Sequence, residues 1–65
     1  MTTIDTNRFG LTIYYEPLES GGGFCSILDE DYNTLASDIF AHSRAYAIQL
    51  ARDERRRLTE IIKNK

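Results

Sequence analysis

Cysteine, histidine and proline occur once each among 65 residues, tryptophan is missing, and no apolar run exceeds four residues. Each scarcity excludes something. Cys25 alone cannot form a disulfide within the chain, which removes the usual staple of a small domain and fits a reducing compartment. Short apolar runs fall far below the about 20 residues that a helical membrane span needs. No charged-then-apolar leader follows Met1, so the expectation is a cytoplasmic protein. With one cysteine and one histidine there is no CxxC or HxxxH spacing, hence no structural metal set and no cofactor. Cys25 and His42 are also far apart in sequence, which argues against a nucleophile–base pair. Cys25 reads as a small half-buried strand residue, and His42 as a helix-start or surface residue. A chain this short buries only about 60% of its unfolded surface. Carving a catalytic pocket from so small a core is unfavourable, and the expectation is a single non-enzymatic domain spanning 1–65.

Charge of one sign is scarce in each half. Residues 1–43 hold seven acids against Arg8, net −6, and residues 44–65 hold seven bases against three acids, net +4. The overall −2 therefore hides a strong polarity, which bears on partners and steering more than on fold.

Residues 1–7 are mostly polar and are expected to fray. From Phe9 the chain alternates, with Phe9, Leu11, Ile13 and Tyr15 on one face and Gly10, Thr12, Tyr14 and Glu16 on the other. This period of two marks a half-buried strand. Pro17 ends it, "LESGGG" reverses the chain, and "FCSILDE" reads as a second strand, giving a β-hairpin over 8–29. The glycines lack the Lys-Ser or Lys-Thr and the following helix of a phosphate-binding loop. Residues 30–42 read as a third strand or a short helix. Residues 43–63 form a helix, with Ser43 (or Ser37, for an earlier start) as its N-cap. Ala47, Leu50, Ala51, Leu58, Ile61 and Ile62 fall in one sector, and Gln49, Arg52, Asp53, Arg56, Glu60 and Lys63 lie opposite. The fold expected is α+β: a small antiparallel sheet of two or three strands packed against one amphipathic C-terminal helix.

The stretch "LDEDYNTLASD" places Asp29, Asp31 and Asn33 at positions 1, 3 and 5 of a calcium loop. Position 6 calls for Gly and holds Thr34; position 12 calls for Glu and holds Phe40. The loop is not an EF-hand, and no metal is expected. Two readings of its acids stay open. One is a solvated turn, with Asp31, Asn33 or Thr34 capping the element that follows. The other is an acidic partner-binding patch of Glu16, Glu19, Asp29, Glu30, Asp31 and Asp38, with Tyr14 and Tyr32 as interface aromatics. Carboxylates so arranged imitate the charge spacing of a nucleic-acid backbone and pair with the Arg and Lys of a basic groove. The run Arg52-Asp-Glu-Arg-Arg-Arg57 is expected to pair within the helix, Asp53 with Arg57 and Arg56 with Glu60, so direct nucleic-acid binding is not expected. Arg55, at the stripe's edge, can lay its stem over the core.

The order "LTIYYEPLESGGGFCSILDED", a short link, then "RAYAIQLARDERRRLTEII" resembles the HicB-like antitoxin layout over residues 9–62. In size, charge layout and the segments "YYEPLE" and "LDEDY", the chain also resembles small phage or mobile-element anti-CRISPR proteins that act on type I systems, type I-C among them. That second resemblance implies stoichiometric inhibition in the host cytoplasm. The partner it implies is a host protein complex, such as the DNA-binding subunit of a type I CRISPR surveillance complex, met by a monomer or weak homodimer with no membrane involved. The first implies an antitoxin, or more generally a small adaptor that binds through its sheet and helix.

Overall fold

A computed structural model describes residues 1–64. Four antiparallel strands, β1 (Thr2–Thr6), β2 (Thr12–Pro17), β3 (Gly23–Leu28) and β4 (Thr34–Ala41), form one sheet in the order β1-β2-β3-β4. Helix α1 (Arg44–Lys63) covers one face. The fold is α+β, with four strands where the sequence suggested two or three. Residues 30–42 supply a strand, β4, and no helix.

The alternation read from the sequence fixes which face meets the helix. Leu11, Ile13, Tyr15, Cys25, Ile27 and Ala41 are buried beneath Ala47, Ile48 and Ala51 of α1. Alanines at 47 and 51, one turn apart, have no bulk to hold the helix away from the strands. Tyr15 donates its buried hydroxyl to the Gly22 carbonyl at 3.1 Å, so its polar end is satisfied. Ser43 caps α1, accepting from the Tyr46 amide at 3.2 Å.

Residues 2–6 do not fray. They form an edge strand, although Ile4 is their only apolar member. In a regular strand neighbouring side chains point to opposite faces. An irregularity in pairing between Thr3 and Asp5 breaks that rule, and Ile4 packs on the core while Asp5 reaches the helix. Asp5 accepts from Arg52 at 3.1 Å and from Arg55, and Arg55 also donates to the Asp5 and Leu11 carbonyls, each at 3.3 Å. Arg55 therefore lies over the core edge, as its position on the stripe suggested, and its side chain is only 12% exposed.

The C-terminal turn of the apolar stripe finds no sheet beneath it. Ile61 and Ile62 are 47% and 40% exposed, whereas Ile48, outside the sector read from the sequence, is buried. A 20-residue helix is about 30 Å long, longer than the about 17 Å of a six-residue strand, so α1 overhangs.

Candidate functional site

Three hairpin turns share one hydrogen-bond frame. In each, the first amide donates to the carbonyl four residues on, and the fourth amide donates back to the first carbonyl. The pairs are Asn7 to Leu11 and Gly10 to Asn7, Leu18 to Gly22 and Gly21 to Leu18, and Asp29 to Asn33 and Tyr32 to Asp29, all between 3.0 and 3.1 Å. The fourth residue must adopt positive φ, as in the three-residue hairpin loop with a bulge. Gly10 (79°) and Gly21 (102°) do so without strain, but the third turn uses Tyr32 at 64°. The left-handed region costs a residue with a Cβ about 1–2 kcal/mol.

Two of these turns are locked by their first side chain. Asn7 accepts through Oδ1 from the Phe9 and Leu11 amides, each at 3.0 Å. Asp29 accepts through Oδ1 from the Asp31 and Asn33 amides, each at 2.9 Å, and through Oδ2 from the Asn33 side-chain amide at 3.1 Å. These bonds, those from Asn33 foremost, hold the Asp29 carboxyl below its ordinary value. So "LDEDYN" is a hairpin turn whose first carboxylate is engaged by its own loop. Tyr32, 76% exposed, stands at the tip between Asp31 and Asn33. Glu30 leans on Gly10 of the neighbouring turn, where a Cβ would run into its side chain.

The six candidate acids are not brought to one place. Thr12 pairs with Leu28 and Pro17 with Gly23, so the β2–β3 turn and the β3–β4 turn lie at opposite ends of the sheet. Glu16, at the end of β2, and Glu19, in the β2–β3 turn, are thus separated by about 17 Å of strand from Asp29, Glu30 and Asp31. Asp38 sits in edge strand β4, at a break in the pairing opposite Ser26 and with φ of 58°. A continuous ladder of carboxylates along one strand end is absent; Glu30 and Asp31 remain as the outward-facing acids of the Tyr32 turn.

Tyr14 lies on the face that α1 leaves uncovered, as its alternation suggested. Cross-strand pairing sets three rows there: Glu16, Phe24 and Phe40; Thr3, Tyr14 and Ser26; and Thr6, Thr12, Leu28 and Thr34. Phe24 and Tyr14 are half-buried, and Phe40 is exposed with its ring edge-on to His42 at 5.1 Å between centroids. The sequence reading missed Phe24 and Phe40 as surface aromatics. The signal for Phe24 was the alternation of "GFCSIL", which turns it outward once Cys25 and Ile27 turn inward; Phe40 is placed on the same face by its pairing with Phe24.

The helix charges pair at spacing three, Arg56 with Asp53 at 3.8 Å and Arg57 with Glu54, in place of the expected spacing of four. Side chains three apart are as close on a helix as those four apart, and Glu54 is the nearer carboxylate to Arg57. The link to Glu54 also raises the Arg57 pKa. Cys25 is fully buried, and desolvation pushes its thiol pKa up, only partly opposed by Arg44. His42 is exposed, just before the helix. Among the described residues no group of three or more His, Cys, Asp or Glu is placed to hold a metal ion, and no helix is long and apolar enough to cross a membrane. No family model, curated protein or solved structure matches the chain.

Proposed function

We propose that the protein is a non-enzymatic inhibitor that binds a nucleic-acid-handling protein complex and blocks its engagement of DNA, in the manner of an anti-CRISPR protein. One observation carries this reading: an exposed aromatic, Tyr32, occupies the strained left-handed position of the β3–β4 turn with acids on its N-terminal side. The two sister turns hold Gly there. A strained residue that makes no use of its side chain within the fold is a reason to look for its use outside. Tyr32 would anchor in a pocket, while Glu30 and Asp31 meet the Arg and Lys that line a groove built for phosphate. Asp29 supports the site from within, ordering the turn before binding, so little entropy is lost on docking.

The test is the variant Tyr32→Gly. Removing the left-handed cost of about 1–2 kcal/mol outweighs the added flexibility of glycine, about 0.5–1 kcal/mol. The variant should melt at or above the wild-type temperature and yet lose inhibition of target-DNA binding by the partner complex. Glu30→Lys with Asp31→Lys should weaken binding too and flatten its dependence on salt. A Tyr32→Gly protein that inhibits as well as wild type would remove the basis of the reading.

The uncovered sheet face supports a second reading, an antitoxin-like or adaptor module. Tyr14, Phe24 and Phe40 give that face the aromatic content typical of interface centres. Phe40→Ser should then abolish partner capture while the tip variants retain it.

A further inference from the structure

A cleft of about 420 Å³ opens between the β1–β2 turn and the C-terminal half of α1, lined by Asn7, Arg8, Phe9, Arg55, Arg56, Thr59 and Glu60. It is largely open to solvent, and its volume lies at the low end of the range of about 300–1,000 Å³ typical of small-ligand sites. Three arginines line it beside one carboxylate, Glu60, while Asp5 and Asp53 pair with Arg55 and Arg56 from outside the lining. Their states differ. Arg55 is committed, bonded to Asp5 and to the Leu11 carbonyl. Arg8 has no carboxylate partner among the described residues; its guanidinium lies 5.2 Å from the centre of the Phe9 ring, which orients it. Arg56 is held only loosely by Asp53, at 3.8 Å, with its side chain 77% exposed. The wall between them is fixed: Asn7 donates to the Thr59 hydroxyl at 3.1 Å, and Thr59 donates to the Arg55 carbonyl at 2.8 Å. The cleft thus joins a rigid polar wall to two guanidiniums with donors to spare.

We propose that this cleft binds a phosphate monoester of sugar-phosphate or mononucleotide size. Arg8 and Arg56 take the dianion in forked, charge-assisted hydrogen bonds, the pairing that guanidinium geometry favours. Arg55, paired with Asp5, adds little charge to the cleft and serves to fix its wall. Glu60, the one acid in the lining, opposes the ligand and sets its affinity low. The site is independent of the Tyr32 tip and requires neither reading of the partner.

The inference is tested by titrating the isotope-labelled chain with inorganic phosphate, ribose 5-phosphate, AMP and adenosine at matched ionic strength, following backbone amides and arginine Nε signals. Expected are saturable shifts confined to residues 7–9 and 55–60 with all three phosphates. Ribose 5-phosphate or AMP binding more tightly than phosphate alone would show that the cleft also holds the body of the ester. Arg8→Gln and Arg56→Gln should each weaken binding about three- to tenfold, the range for partly screened charge-assisted bonds. Glu60→Gln should strengthen it by about threefold, and Arg57→Gln, outside the cleft, should leave it unchanged. The proposal fails if adenosine shifts the cleft and phosphate does not, if the phosphates shift all arginines alike, or if Glu60→Gln leaves affinity unaltered.

Discussion

Replacing Asp5 by Asn should loosen the hold of the helix on the N-terminal strand. The substitution keeps the side-chain shape and removes the charge that Arg52 and Arg55 share. Hydrogen bonds to charged groups contribute about 1.5–3 kcal/mol. Asp5 is 38% exposed, so water and salt screen part of that. A net cost of about 1–2 kcal/mol follows, well above the median of an exposed ion pair, because Arg55 stays 12% exposed and loses its counter-charge. For a domain of this size the melting temperature should fall by roughly 4–16 °C. The pH dependence gives a sharper check. The Arg55 hydrogen bond, then that of Arg52, lowers the Asp5 pKa below its ordinary value despite some desolvation. A depressed carboxyl stabilises fully above its unfolded pKa of about 3.9, and that contribution is lost as pH falls through the folded value. Urea midpoints of wild type and Asp5→Asn should therefore differ at neutral pH and converge once the pH drops below the carboxylate range. Equal midpoints at neutral pH, or a gap that persists unchanged in acid, would show that the Asp5 charge does not hold the strand.

Three further outcomes are expected. Gly22→Ala should cost about 1–3 kcal/mol more than Gly21→Ala in chemical denaturation, because a Cβ at 22 presses on the Ala41 carbonyl while one at 21 meets open space. Asn7→Ala should lower stability by about 1–3 kcal/mol, since it strips the Phe9 and Leu11 amides of their acceptor and Thr59 of its donor; an unchanged melting curve would contradict this. Cys25 should react with a thiol reagent only through opening of the fold, accelerating in step with urea, and labelling as fast as a free thiol would show that it is accessible.

Where burial alternates strictly, the fold could be read in advance. Leu11, Ile13 and Tyr15, then Cys25 and Ile27, announce two strands, and the spacing of Ala47, Ala51 and Leu58 announces the helix. Strand β1 carries no such signal, because Thr2–Thr6 offers Ile4 alone and owes its place to Arg55, fifty residues away. The third turn was obscured because Tyr32 fills a position that glycine marks in the other two. Of the candidate site, the acids were recognisable by type, but their separation depended on which turns share an end of the sheet. That follows from strand connectivity, since β3 runs from one turn to the other, and it could be settled only once residues 34–41 were known to form a strand. The overhang of Ile61 and Ile62 is not legible for a similar reason, since periodicity tells which way a side chain faces and says nothing of where the opposing sheet stops.

Each strand of the sheet is bonded to its neighbour in sequence, and this sets an order of assembly. Three hairpins can zip independently from their turns, on the microsecond scale of local pairing, before any distant segment is needed. Among the described residues the helix makes the contacts of longest sequence separation, Arg55 with Asp5 across 50 positions and Thr59 with Asn7 across 52. Closing that largest loop carries the greatest entropy cost, so the helix is expected to dock last and lock the first strand behind it. On the ribosome, β1 would be made well before the helix that secures it.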